Sequence, residues 1–429
     1  MIYSTPLTKE QMARSQRNVC YYTAINGVSY MCLGDTVVSL LAVRLGMPDW
    51  VVSALGAMIY FGYALLPLGK RICSRVGAAK TQSYCWVARN IVALLVASCV
   101  IWHQLDPVGN RVLNIVCILL GSFLFYGFRS AGVVMSVPLI GNITDESSRS
   151  KLLGFSNGLF YLTASVSLVV INLLMWRYDS IWMLFASILF GSLCGFTASH
   201  FLARIDETDA VKKHASTPFF RDLKEIVRND AIRRMVFARS ALNLCAMMTL
   251  TMYVLPLKRG YGVPDSLALL FTLIVYIGKS ITGLTFAPII KWLGAKRALM
   301  TCCLLYASAA PLWIIAPNDY HFVYVLIICI ILGASDAVSE NGKGLYLLQC
   351  VPERLQTSVS VLVSLVDGAL MGLFAIALNA ILLKASERMN WPFGADSPMD
   401  KYRLYNLLAL PFLTLAFWCV ARLKNTGNK

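Results

Sequence analysis

Twelve apolar stretches, each about long enough to cross a bilayer, run through this chain between Val19 and Leu423. A hydrocarbon core ~30 Å thick needs about 20 mostly apolar residues of helix, since each residue rises ~1.5 Å. In lipid every backbone polar group must be satisfied internally, and stretches of this length do so as helices. Twelve spans consume roughly 240 residues, leaving short loops, one longer central connection and small tails. The expected spans are 19–45, 50–68, 82–104, 112–141, 153–176, 180–203, 236–257, 265–289, 298–316, 322–350, 359–383 and 403–423. The expected fold class is an all-α membrane protein.

Composition agrees: 58% of residues are hydrophobic and 14% charged, against about 25% charged in soluble domains. A net charge of +16 would suit nucleic acid, but its placement argues for topology instead. Lys and Arg gather in alternate loops, about 24 on one side against about 9 on the other. The rich side is the cytoplasmic side, so both termini are expected in the cytoplasm of a multi-pass protein of the cell (inner) membrane. No nucleic-acid partner is expected. Residues Met1 to Arg17 are polar and lack an apolar region followed by a small-residue cleavage site, so the first span is the expected targeting signal. The thirteen Cys are scattered without a C-x-x-C pair, and the four His are dispersed. They read as small buried groups, and no metal or other cofactor is expected.

The non-apolar stretch Arg204 to Arg234 is the natural linker between two halves of six spans. The halves read as a diverged repeat. Lys70-Arg71-Ile72-Cys73-Ser74-Arg75-Val76-Gly77-Ala78-Ala79-Lys80 follows the second span, and Lys291-Trp292-Leu293-Gly294-Ala295-Lys296-Arg297 follows the eighth. Both place Gly-Ala and a terminal basic residue in a short turn. The domains expected are an N-terminal six-helix bundle (1–203), a cytoplasmic linker (204–235) and a C-terminal six-helix bundle (236–429). Duplicated bundles of this kind are a transporter signature, with the substrate near mid-membrane.

On these residues the chain resembles the major facilitator superfamily over nearly its whole length. The family's turn motif is roughly Gly-x-x-x-Asp-Arg-x-Gly-Arg-Arg/Lys; Arg75, Gly77 and Lys80 fit it loosely. Ser74 replaces the acidic residue and Lys70 the first Gly, so the family's usual charge lock is not expected in its ordinary form. The sugar-porter signatures Pro-Glu-Ser-Pro-Arg and Pro-Glu-Thr-Lys-Gly are absent, so no subfamily is assigned. The resemblance implies two six-helix bundles related by a pseudo-two-fold axis, with spans 1, 2, 4, 5, 7, 8, 10 and 11 bordering a central cavity.

An ionisable residue inside a span costs several kcal/mol and calls for a partner or a water-filled cavity. Such residues are Asp35, Arg89, Arg129, Arg239, Lys279, Asp336, Glu340, Lys343 and Asp367. Arg89 and Arg239 fall near helix ends, where snorkelling would place their charge in water. The other seven lie deeper and are the candidate substrate or proton-coupling residues. Asp336, Glu340 and Lys343 follow at i, i+4 and i+7, within about 60° of arc on one helix face. Matching depths predict a Lys343–Asp367 pair. Asp35 and Arg129 are both near mid-membrane, and the resemblance to proton-coupled sugar symporters implies that they meet. Asp336 and Glu340, one turn apart, are expected to share a proton, with Asp336 the carrier. Tyr60, Tyr63, Asn157, Tyr161 and Asn243 are candidate lining residues, though such polar groups also join membrane helices.

These features describe a secondary active transporter of a small polar solute, working by alternating access with a proton as a plausible coupling ion. The expected partners are that solute, protons and the bilayer, and the expected state is a monomer. There is no Walker-type run to supply ATP drive. The alternatives are an exporter of drugs or metabolites on the same fold and a membrane-embedded lipid-handling protein. An enzyme is not expected, because neither a metal-ligand motif nor a nucleophile elbow is present.

Overall fold

The computed structural model describes residues 2–424 apart from 179, 217–218, 251 and 390–396. The side chains at 35–36, 49–50, 52–53, 56–57, 219–220, 265–266 and 269 lie outside the described set. Among the described residues the chain forms twelve helical rods in sequence. Span 1 is Lys9–Leu33 and Asp35–Arg44, broken at Gly34. Span 2 is Asp49–Phe61, a 3-10 turn Gly62–Leu65, and Leu66–Val76. Span 3 is Ala78–Leu105, and span 4 is Arg111–Val133 continued by Ser136–Asn142. Spans 5 and 6 are Glu146–Arg177 and Ile181–Ala203. Two short linker helices, Asp209–Ala215 and Phe219–Arg228, precede span 7, Asp230–Leu250. Span 8 is Asp265–Leu284 and Phe286–Leu293, and span 9 is Ala295–Ile314. Span 10 is Phe322–Cys350. Span 11 runs Glu353–Val363, a π-helical stretch Ser364–Leu370, then Met371–Arg388. Span 12 is Asp400–Ala421.

Local sequence explains where the rods begin. Thr8 and Gln11 form a reciprocal capping box at the start of span 1, so side chains satisfy two otherwise orphaned backbone donors. Asp145 and Ser148 do the same for span 5. Four glycines take positive φ, at Gly46, Gly77, Gly262 and Gly294. They fall in matched places: Gly46 and Gly262 each precede an x-Pro-Asp that opens the next rod, and Gly77 and Gly294 each precede the Ala that begins one. The diverged repeat thus extends to backbone conformation, because only glycine enters this region without a steric penalty.

Among the described residues nine helices are long and apolar enough to cross a membrane, and bent span 8, with a 60° break, makes a tenth. Span 2 is broken into short pieces, and span 7 carries Asp230, Arg233, Arg234 and Arg239. Large apolar side chains such as Leu95, Leu120, Val170, Phe190, Ile281, Ile327 and Phe374 face outward. That many exposed apolar groups suits a lipid surround and not water.

The described residues gather into two compact units. The first comprises Met1–Leu152, Leu159–Lys224 and Val351–Leu365; the second comprises Leu153–Gly158, Glu225–Cys350 and Val366–Lys429. The first is packed around Leu33, Leu41, Leu55, Val96, Ile118 and Ile188, and the second includes a cluster around Leu244, Met248, Ala375 and Tyr405. A short parallel pairing, Ile2–Tyr3 with Glu207–Thr208, ties the N-terminus to the linker within the first unit.

Candidate functional site

The second unit holds a set of ion pairs inside its spans. Lys279 of span 8 meets Asp336 of span 10 at 2.5 Å. The Tyr306 hydroxyl of span 9 donates to the other Asp336 oxygen at 3.0 Å, and the Lys279 ammonium lies 5.3 Å from the Tyr276 ring centroid. Lys343 pairs with Glu340 at 2.6 Å on the same helix. Arg239 of span 7 donates through Nε to Asp367 of span 11 at 3.0 Å and through Nη1 to the Lys343 carbonyl at 2.9 Å. Ser240 donates to the second Asp367 oxygen at 3.0 Å. Asp367 lies on the π-helical stretch of span 11. Such wide turns release backbone carbonyls from the regular ladder, and the Asp367 carbonyl accepts from the Asn243 side chain.

Several expected partners differ. Lys343 does not pair with Asp367; it pairs with Glu340, and Asp367 takes Arg239. The depth match considered spans 10 and 11 alone, whereas Arg239 reaches the same level from span 7 with a planar fork that suits a carboxylate. Asp336 and Glu340 do not face each other as a proton-sharing pair, because each has its own cation. Glu340 is also half exposed, its side chain at 48%. Arg239 and Arg89 are not snorkelling. Hydropathy placed the starts of spans 7 and 3 at 236 and 82, but the helices begin at Asp230 and Ala78. The two arginines therefore sit ~13 Å and ~16 Å inside their helices.

Among the candidate lining residues, Asn157 donates to Asn341 at 2.6 Å, joining spans 5 and 10. Asn243 holds the span 11 backbone, as above. Tyr60, Tyr63 and Tyr161 are half-buried in the first unit. The Asp35 side chain lies outside the described residues. Sequence reasoning missed Tyr306 and Asn341; a polar side chain in the middle of an apolar span was the available signal for both.

The first unit contains two deep arginines. Arg89 is fully buried, at 0% exposure. Its Nη2 reaches Asn26 and Ser29 at 3.3 Å and Asn90 at 3.5 Å, all neutral acceptors. Its guanidinium lies 4.6 Å from the Trp86 ring centroid and 5.3 Å from that of Phe125. Arg129 of span 4 lies 5.0 Å from the Tyr30 ring centroid. It makes no hydrogen bond or ion pair with any described residue.

The motif departure at Lys70 also finds its meaning. Lys70, at the end of span 2, is buried and pairs with Asp222 of the second linker helix at 3.0 Å. It also donates to Ser358 at the start of span 11 at 2.6 Å, and the Ser358 hydroxyl donates to Asp222. The acidic partner of Lys70 thus comes from the linker. Nearby, the Glu207 carboxylate accepts from the Ala78 N–H at 2.9 Å and the Ala79 N–H at 3.2 Å, the first donors of span 3. Burial pushes this carboxyl up from its ordinary 4.5 to about 7, with the two N–H groups opposing the rise.

The family model described as Major Facilitator Superfamily matches residues 19–376. No curated protein matches the sequence. Solved structures share the fold at low identity. The fucose:proton symporter of E. coli has a TM-score of 0.72 at 11% identity, over 96% of this chain and 98% of its own. The human organic anion transporter MFSD10 has 0.69 at 12%, over 95% and 99%. The proton:xylose symporter XylE has 0.69 at 14%, over 98% and 97%.

Proposed function

This chain belongs to the Major Facilitator Superfamily, and from that premise we propose that it is a proton-coupled secondary active transporter of a small polar solute. It works by alternating access, with 1–203 and 236–429 as the halves and 204–235 as the linker. It resides in the cell (inner) membrane with both termini in the cytoplasm, and it acts as a carrier rather than an enzyme. The observation that carries the reading is the Lys279–Asp336 pair. It joins two spans through one carboxylate, so a proton arriving on Asp336 cancels the ionic attraction between span 8 and span 10. Buried pairs of this kind are costly to break by charge loss on one side, which makes their protonation a strong conformational lever. The proton-coupled sugar carriers among the structural neighbours support the same coupling.

The test is Asp336→Asn in proteoliposomes, read by gradient-driven uptake and by counterflow of one transported solute. Loss of accumulation with counterflow retained is the expected result. Undiminished accumulation against a gradient would remove Asp336 from the coupling role.

A further inference from the structure

We infer that the first unit holds a recognition site for the carboxylate of an organic monoanion, with Arg129 as its ligand; this names the solute class and rests on the transport reading above. A guanidinium does not lose its charge at physiological pH, and within a membrane span it calls for a counter-charge or water. Arg129 has neither an acidic nor a hydrogen-bonding partner among the described residues, and its charge lies over the Tyr30 ring face at 5.0 Å. A ring face stabilises a cation but leaves its N–H donors unused.

The surroundings favour a single negative charge. Tyr22, Tyr30, Tyr63 and Tyr126 lie within electrostatic reach of Arg129, and none of them carries a counter-charge at neutral pH. Arg89, also within electrostatic reach, adds positive potential. Its Nη2 is turned to Asn26, Ser29 and Asn90 and its Nε is buried without a partner; because the whole residue is buried, it raises the field without presenting a fork to a solute. One available fork matches one carboxylate, bidentately. Phosphate, with its greater charge, would call for a second available cation. From Tyr30 the rings continue away from the charge, Tyr30 standing 5.6 Å from Phe160 and Phe160 5.3 Å from Tyr161 by ring centroids, and these rings would meet the body of the solute.

The competing arrangement is that Asp35 is the counter-ion of Arg129, and the experiment separates the two. Thermal unfolding of the purified full-length chain is followed alone and with millimolar benzoate, lactate, benzamide or lactamide. A ligand that binds only the folded state raises apparent stability. At least one carboxylate should raise the Tm by a few degrees while its amide does not, and Arg129→Met should abolish the rise. Without ligand, Arg129→Met should unfold at or above the wild-type temperature, because it removes an uncompensated charge. A ligand-free Arg129→Met that unfolds lower and is restored by adding Asp35→Asn would overturn the inference, as would no response to either carboxylate. The two readings fail separately. Carboxylate binding that needs Arg129 without proton-driven uptake would sink the transport proposal alone. Proton-driven uptake of a neutral solute, unchanged in Arg129→Met, would sink the carboxylate site alone.

Discussion

Asp367 shows how much one residue's partner decides. Its two oxygens are taken by Arg239 and Ser240 and its backbone carbonyl by Asn243, all on span 7. Asp367→Asn leaves Arg239, whose side chain is 16% exposed, without its counter-charge, and that loss is expected to cost up to about 3–5 kcal/mol. Adding Arg239→Met should recover most of it, whereas adding Lys343→Met should recover far less, because Lys343 pairs with Glu340 and its removal strands that carboxylate. Thermal unfolding of the two double variants beside the single one decides the matter; rescue through Lys343 would reverse the assignment. Which residues are charged and deep was legible in the sequence: Lys279, Asp336, Glu340, Lys343 and Asp367 all enter ion pairs in the second unit. Their pairing was not, because depth along a helix leaves the angle about its axis open, and partners on a third helix compete. Arg89 was misjudged for a related reason. Hydropathy finds the apolar part of a helix, and polar turns such as Ala78–Thr81 extend the rod beyond it.

Helices in lipid gain nothing from excluding apolar surface from one another, so close approach depends on small residues. Span 5 and the end of span 8 illustrate this in the second unit. A Cβ added at Gly158 would stand 2.6 Å from the Leu284 backbone nitrogen, and one at Gly283 would stand 2.8 Å from the Gly158 Cα. Ser280 donates to the Gly158 carbonyl at 3.0 Å across the same crossing. Gly158→Leu must push the two backbones apart and is expected to destabilise the protein by at least about 1–3 kcal/mol. The readout is the unfolding temperature in detergent, with Leu159→Ala as a control on the same helix. An unchanged Tm in Gly158→Leu would mean that the crossing is slack. The spans were readable because length and apolarity mark each one independently of the rest. The crossing was not, since a glycine in an apolar run looks the same whether it faces lipid or another backbone.

At the scale of the whole chain, the notable economy lies where distant segments converge in the first unit. Lys70, Asp222 and Ser358 come from a span end, the linker and the start of span 11, and they form one buried polar cluster. The linker was legible as a polar stretch; that it supplies the acidic partner of Lys70 was not, because the sequence places that acid 152 residues away. Asp222→Asn should therefore destabilise the fold, and Asp222→Asn with Lys70→Met should restore it by removing the stranded charge; unfolding temperatures that merely add across the two sites would show no coupling. Glu207 is held in the same region by the N-terminal strand and by the first N–H groups of span 3. Its folded-state value of about 7 lies above the ordinary 4.5, so between these limits the native state keeps a proton that the unfolded chain releases. The stabilisation this brings is full below pH 4.5 and is lost as pH rises through about 7. The difference amounts to on the order of 3 kcal/mol. Glu207→Gln cannot titrate, so the wild type should lose stability relative to this variant as pH climbs through that window, and the two should run parallel above it. Unfolding temperatures measured side by side across the window provide the check. A constant difference would mean that the carboxyl stays ionised at the start of span 3, with its two backbone donors outweighing burial.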